Sequence, residues 1–188
     1  MTDDDPSPAA VIIKAHPDPD EPEMIDFFYW LGNCVNHWAY VDRQLFYICR
    51  FTLRTDDRRA ALIYYRDRSF EGRLRFVEEA LRGLVDPSIF AHFWKPLRKD
   101  ARALAATRNI LAHHPAMRYA AAKDGKPYYE WSIHIEPYER LLGREYPGLM
   151  GKDAIRVDDL KAHVDAVEKL YSRLSDFLYK VLTAKHGL

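Results

Sequence analysis

The chain has 188 residues and a mass of 22.0 kDa, and it is 48% hydrophobic and 30% charged. Those proportions suit one globular domain with a real core and exclude collagen-like and fully disordered chains. No apolar run approaches the roughly 18 residues of a membrane-spanning helix, and the acidic leader MTDDDPSPAAVII is unlike a secretory signal, so the cytoplasm is the expected location. The 28 basic and 28 acidic residues cancel overall, but residues 1–23 hold seven acids against Lys14 alone. The rest of the chain therefore carries a formal +6, mildly suited to a polyanion.

Residues 1–23 contain five of the eleven prolines and the acidic run DPDEPE, which predicts a loose extended arm, with the segment Ala10-Val11-Ile12-Ile13 a candidate for docking as a strand. Residues 24–188 are expected to form a single domain. From Met24 to about Leu53, Phe27, Leu31, Cys34, Trp38, Val41, Leu45 and Ile48 recur at steps of four and three, the spacing of one buried helix face. Cys34 and Cys49 would lie roughly 22 Å apart on that helix, too far to bridge.

Thr55, Asp56 and Asp57 predict the cap of a short helix through Tyr65, because short oxygen-bearing side chains accept from free backbone amides. Ser69 predicts another cap, followed by the apolar stripe Phe70, Leu74, Val77, Leu81 and Leu84. A new helix is expected at Asp86-Pro87. Pro96 either kinks it or begins the next, which runs through Leu97, Ala101, Leu104 and Leu111 to His114, where Pro115 discourages further helix.

Asp124-Gly125 is a hairpin signal, and Tyr129, Trp131, Ile133 and Ile135 alternate around it as a half-buried strand would. Asp158 is expected to cap a last helix carrying Leu160, Val164, Val167, Tyr171, Leu174, Leu178 and Val181. The predicted fold is all-α, an up-and-down bundle of four to six helices with a small β-hairpin between the helix that ends at His114 and the C-terminal helix. Trp30, Trp38, Trp94 and Trp131 read as core or interface aromatics.

The segment LAATRNILAHHPA carries the chemistry. Arg108 precedes His113 by five positions and His114 by six, and a chain this rich in arginine and histidine holds roughly two such pairs by chance, so the pair means little alone. The fuller string Arg-Asn-x-Leu-Ala-His, at the end of an internal bundle helix between long amphipathic ones, resembles the HEPN domain family over about residues 24–185. The resemblance implies a helical bundle, often dimeric, and a metal-independent ribonuclease using an Arg-x(4-6)-His motif. The matching positions are Arg108, Asn109 and His113, with His114 within the permitted spacing. It also implies RNA as substrate, a homodimer, a toxin–antitoxin or defence setting, and a separate nucleotidyltransferase-type antitoxin, since no such domain lies in this chain.

Apart from that resemblance, Asn109 and His113 sit about 40° apart on a helix, whereas Arg108 lies about 140° from His113. A two-fold contact along the helix would bring both copies of the pair into one cleft. Neutral imidazole can take a ribose 2′-hydroxyl proton and guanidinium can hold the phosphate, with no metal and no cofactor. Lys95, Arg98, Lys99 and Arg102 extend a basic stripe on the same helix, so Lys99 and Arg102 join Asn109 and His114 as supporting or RNA-binding candidates.

Three other readings fit the same residues. His113 and His114 could simply cap helix carbonyls, and Arg108 could pair with a carboxylate from the last helix. His37, His163 and one of the motif histidines could converge on a metal. A non-catalytic HEPN-like module would bind RNA, a nucleotide or a protein partner.

Overall fold

The computed structural model describes residues 21–123, 126–135, 152 and 154–183, so the expected arm up to residue 20 and the segment Ala10–Ile13 lie outside the described residues. Helix α1 spans Pro22–Leu53. It begins two residues before the apolar pattern because Pro22 sits at its first position, where a missing N–H costs nothing. Phe27, Cys34, Trp38, Val41, Leu45 and Ile48 are buried along it, and Leu31 is partly buried against the same core. Each large apolar side chain among them that is removed from water contributes about 1.5–3 kcal/mol, which makes this helix the spine of the bundle.

Helix α2 covers Asp57–Tyr64 and α3 Phe70–Arg82. Of the three residues expected to cap α2, Asp56 does so, accepting from the Arg59 amide at 2.9 Å. Ser69 Oγ accepts from the Gly72 amide at 3.0 Å, as its position before the stripe predicted. Asp42 of α1 ties all three helices together. Its carboxylate accepts from the Tyr64 hydroxyl at 2.9 Å and from Arg73 Nε at 3.1 Å.

A single turn, α4 (Pro87–Ile89), leads into a π-helical turn at Phe90–Trp94 and then α5, Lys95–His113. Pro96 lies in the first turn of α5, one of the two placements its position allowed. The Lys95 amide reaches back five residues to the Phe90 carbonyl, and this widened turn accommodates a proline ring that an α ladder would drive against the His92 carbonyl.

Strands β1 (Ala116–Lys123) and β2 (Lys126–His134) pair antiparallel on either side of Asp124-Gly125, a dipeptide outside the described residues. Trp131, Ile133 and Ile135 are buried, while Tyr129 is exposed with the Arg118 guanidinium 4.5 Å over its ring. A two-residue β3, Ala154–Ile155, pairs with β2 through Ile133 and Ile155, giving the order β1-β2-β3.

Helix α6 runs Val157–Asp176 and continues as a π-helical segment, Phe177–Leu182. Its cap differs from expectation: Arg156 precedes the helix, and the Asp159 carboxylate accepts from the Arg156 amide at 3.0 Å. Asp158 lies inside the first turn, where its charge still suits the positive end of the helix.

The architecture is a helical bundle with a small antiparallel sheet, in two contiguous cores. Leu45, Ile48, Leu74, Leu81, Trp94 and Leu174 build the larger one. Phe27, Cys34, Ile110, Trp131, Ile155 and Leu160 build the smaller, where the sheet meets the ends of α1, α5 and α6. Trp38, Trp94 and Trp131 are core aromatics, and Trp30 is half-buried with Lys161 over its ring. Cys34 and Cys49 are free, buried thiols, pushed up to about 12 and about 11 by burial and therefore unreactive. Among the described residues no helix is long and apolar enough to cross a membrane.

Candidate functional site

The C-terminal turn of α5 ends on an exposed shoulder above the smaller core. Ile110 and Leu111 anchor it from below, both buried. The helix stops because the residue before Pro115 is driven to extended backbone: His114 adopts φ −104° and ψ 139°. Its amide still donates to the Ile110 carbonyl at 2.9 Å.

Asn109 and His113 are exposed and share one face, one turn apart. Arg108 is half-buried on a different side, yet its Nη1 donates to Asn109 Oδ1 at 3.0 Å. That hydrogen bond joins the Arg108 guanidinium to the side chain of Asn109, one of the two groups on the exposed face. No ion pair joins Arg108 to the last helix among the described residues; its partner is the neighbouring amide.

The two histidines separate cleanly. His113 is exposed, whereas His114 is half-buried, with Nδ1 3.3 Å from the Ile110 carbonyl and Nε2 buried without a partner among the described residues. His114 is thus turned toward the protein. His113 is the imidazole that solvent and a ligand can reach.

The basic stripe is thinner than its sequence suggests. Arg102 pairs with Glu71 of α3 at 3.0 Å, and Arg98 pairs with the buried Glu78 of α3 at 2.7 Å. Lys95 and Lys99 are exposed and form no ion pair among the described residues, so they are the cations left on that face. The sequence could not reveal these pairings, because Glu71 and Glu78 reach α5 only through tertiary packing.

The three histidines considered for a metal do not converge. His37 Nε2 meets Glu168 Oε1 at 2.9 Å between α1 and α6, and His163 is buried on α6 with its pKa lowered to about 4 by burial. Among the described residues no group of three or more histidine, cysteine or carboxylate side chains is placed to hold a metal.

Two features carried no sequence signal. One is the Asp42–Tyr64–Arg73 tie, whose members are far apart in the chain; burial, then the neighbouring Asp42 carboxylate, holds the Tyr64 phenol well above its usual range and keeps it a donor. The other is a cavity at the far end of α1, lined by Arg54. Compared with known proteins, the chain matches no family model, no curated protein and no solved structure.

Proposed function

We propose that the chain is a metal-independent endoribonuclease of HEPN type, cutting RNA in a cleft between two copies whose α5 ends face each other. The observation that carries the reading is the Arg108–Asn109 tie at 3.0 Å beside the exposed His113. It supports the reading by fixing a cation suited to phosphate near the end of the helix that also exposes an imidazole.

In this scheme His113 takes the proton of a ribose 2′-hydroxyl, and the 2′-oxygen attacks the adjacent phosphorus. Arg108 binds the phosphate oxygens and the charge that builds on them. The 5′-oxygen leaves, takes a proton from the imidazolium of the second copy, and a 2′,3′-cyclic phosphate remains. Asn109 acts as a positioning residue by fixing the guanidinium, and Lys99 attracts the RNA backbone. A cytoplasmic toxin-like or defence role, restrained by a separate nucleotidyltransferase-type partner, is the setting this activity fits.

The second reading is a non-catalytic module that uses the same shoulder to bind RNA or a protein. The pairing of Arg98 and Arg102 with α3 carboxylates leaves few free cations for a polyanion and favours, within this reading, a protein partner over RNA.

The test incubates the protein with structured and single-stranded RNA in the presence of chelator, alongside folded Arg108→Ala and His113→Ala variants. Cleavage by wild type and its loss in both variants is expected. Unchanged cleavage in either variant overturns the assignment. Salt-dependent binding without cleavage favours the second reading. Sedimentation should show a dimer, and a strict monomer would remove the shared cleft.

A further inference from the structure

At the end of the bundle opposite the α5 shoulder's core, the last turns of α1 and the C-terminal π-helical segment enclose a surface cavity of about 500 Å³. That volume falls within the range of small-molecule sites. One wall is aromatic and apolar, made by Tyr47, Phe51, Leu178 and Tyr179. Arg50 and Arg54 supply two guanidiniums, and among the described residues no acid lines the cavity. Arg50 is already engaged by Asp57 at 2.7 Å, whereas the Arg54 side chain makes no ion pair among the described residues.

Arg54 has a second peculiarity. At φ 48° and ψ 47° it is the one non-glycine residue with positive φ among those described. It occupies the left-handed position that closes α1, where glycine or asparagine is the ordinary occupant and an arginine is strained by its Cβ. Strained backbone is retained where a particular side chain is needed. The part of the lining that comes from the end of the chain's last helix points the same way, since Leu178 and Tyr179 belong to a π-helical segment, a widened helix geometry that recurs at functional sites.

We propose that this cavity binds a small organic anion in which a planar ring carries one carboxylate or phosphate, the ring lying on the Tyr47, Phe51 and Tyr179 wall and the anionic group on Arg54. An apolar floor beside an unpaired guanidinium recognises both parts together, and either alone leaves half the site unused. The inference stands apart from the ribonuclease reading, because none of its residues lies on the α5 shoulder.

Calorimetric titration of the full chain with four probes tests it: phenyl phosphate and phenylacetate carry both features, inorganic phosphate only the charge, and benzyl alcohol only the ring. The ring-bearing anions should bind at least about tenfold more tightly than the other two, and the tighter of the pair identifies the anionic group. Arg54→Gly and Arg54→Gln should each weaken that binding by about tenfold, the first without lowering the thermal midpoint, and Tyr179→Ala should weaken the ring-bearing probes alone. Failure of both ring-bearing anions to bind at millimolar concentration, or unchanged binding in the two Arg54 variants, overturns the proposal.

Discussion

The Arg54→Gly variant makes an unusual demand on the structure, because removing a large side chain should stabilise the protein. A left-handed conformation costs a residue with a Cβ roughly 1–2 kcal/mol, and Arg54 sits in it at φ 48°. Glycine relieves that strain but loses more freedom on folding, returning about 0.5–1 kcal/mol of the gain. Little else is lost, since Arg54 is exposed and its side chain forms no ion pair among the described residues; the backbone bond from its amide to the Phe51 carbonyl, at 3.1 Å, survives the change. The net expectation is a gain of about 1 kcal/mol, equivalent to roughly 2–4 °C in the thermal midpoint for a chain of this size. Arg54→Ala is the control: it deletes the same charge and keeps the Cβ, so it should leave the midpoint near that of wild type. Thermal and urea unfolding of the three proteins, with no ligand present, measures the difference. If Arg54→Gly is no more stable than Arg54→Ala, the backbone strain is not there, and the argument that Arg54 is kept for a ligand loses its premise.

Three further outcomes follow from the geometry. His163 is 6% exposed, with burial holding its pKa at about 4 against an ordinary 6.5, so the unfolded chain binds a proton more readily than the folded one. Its contribution is complete above pH 6.5 and is lost as pH falls toward 4, by about 3 kcal/mol; His163→Leu should flatten that limb of the stability–pH curve, and an unaltered slope would refute the assignment. A Cβ at Gly72 would fall 1.7 Å from Asp67 Oδ2, forcing that carboxylate off the Ser69 amide and hydroxyl it accepts from at 2.9 and 2.8 Å; Gly72→Ala should therefore lower the thermal midpoint, and a midpoint equal to wild type would show that Asp67 moves without cost. Asn109→Ala frees the Arg108 guanidinium without deleting it and should reduce RNA cleavage about tenfold while the imidazole's pH dependence is kept, the loss of one charged hydrogen bond in positioning; a pH profile displaced by the substitution would mean that Asn109 acts on His113 instead.

The helices were readable because their buried stripes run unbroken: residues that repeat every three or four positions must share a face, whatever packs against it. The hairpin was readable because Asp124-Gly125 separates two extended runs. What escaped the sequence depends on groups distant along the chain. Strand β3 is two residues long, too short for any alternation, and exists only because Ile133 offers it an edge. The π-helical turn before Pro96 follows from a ring meeting a carbonyl four residues back, and a proline in the sequence does not say whether the helix breaks or widens. Arg102 looked free because Glu71, its partner, is 31 residues away on α3.

The same distinction governs the two sites. On the α5 shoulder, Asn109 and His113 share a face by helical arithmetic alone, which singles out His113 over His114 in the sequence, and the exposure of His113 beside a half-buried His114 agrees with it. Only the reach of Arg108 to Asn109 had to be seen, because the 140° between helix positions describes where side chains start and not where a long one ends. At the far end of α1 nothing periodic marks Arg54: a helix that ends on arginine instead of glycine is ordinary in sequence and strained in space. A motif is legible when its residues are bound by one element's geometry, and a pocket assembled from the ends of separate elements becomes legible only when the chain has folded around it. The cavity beside Arg54 is of the second kind, which is why its test is chemical, by ring and by charge, and takes nothing from any motif.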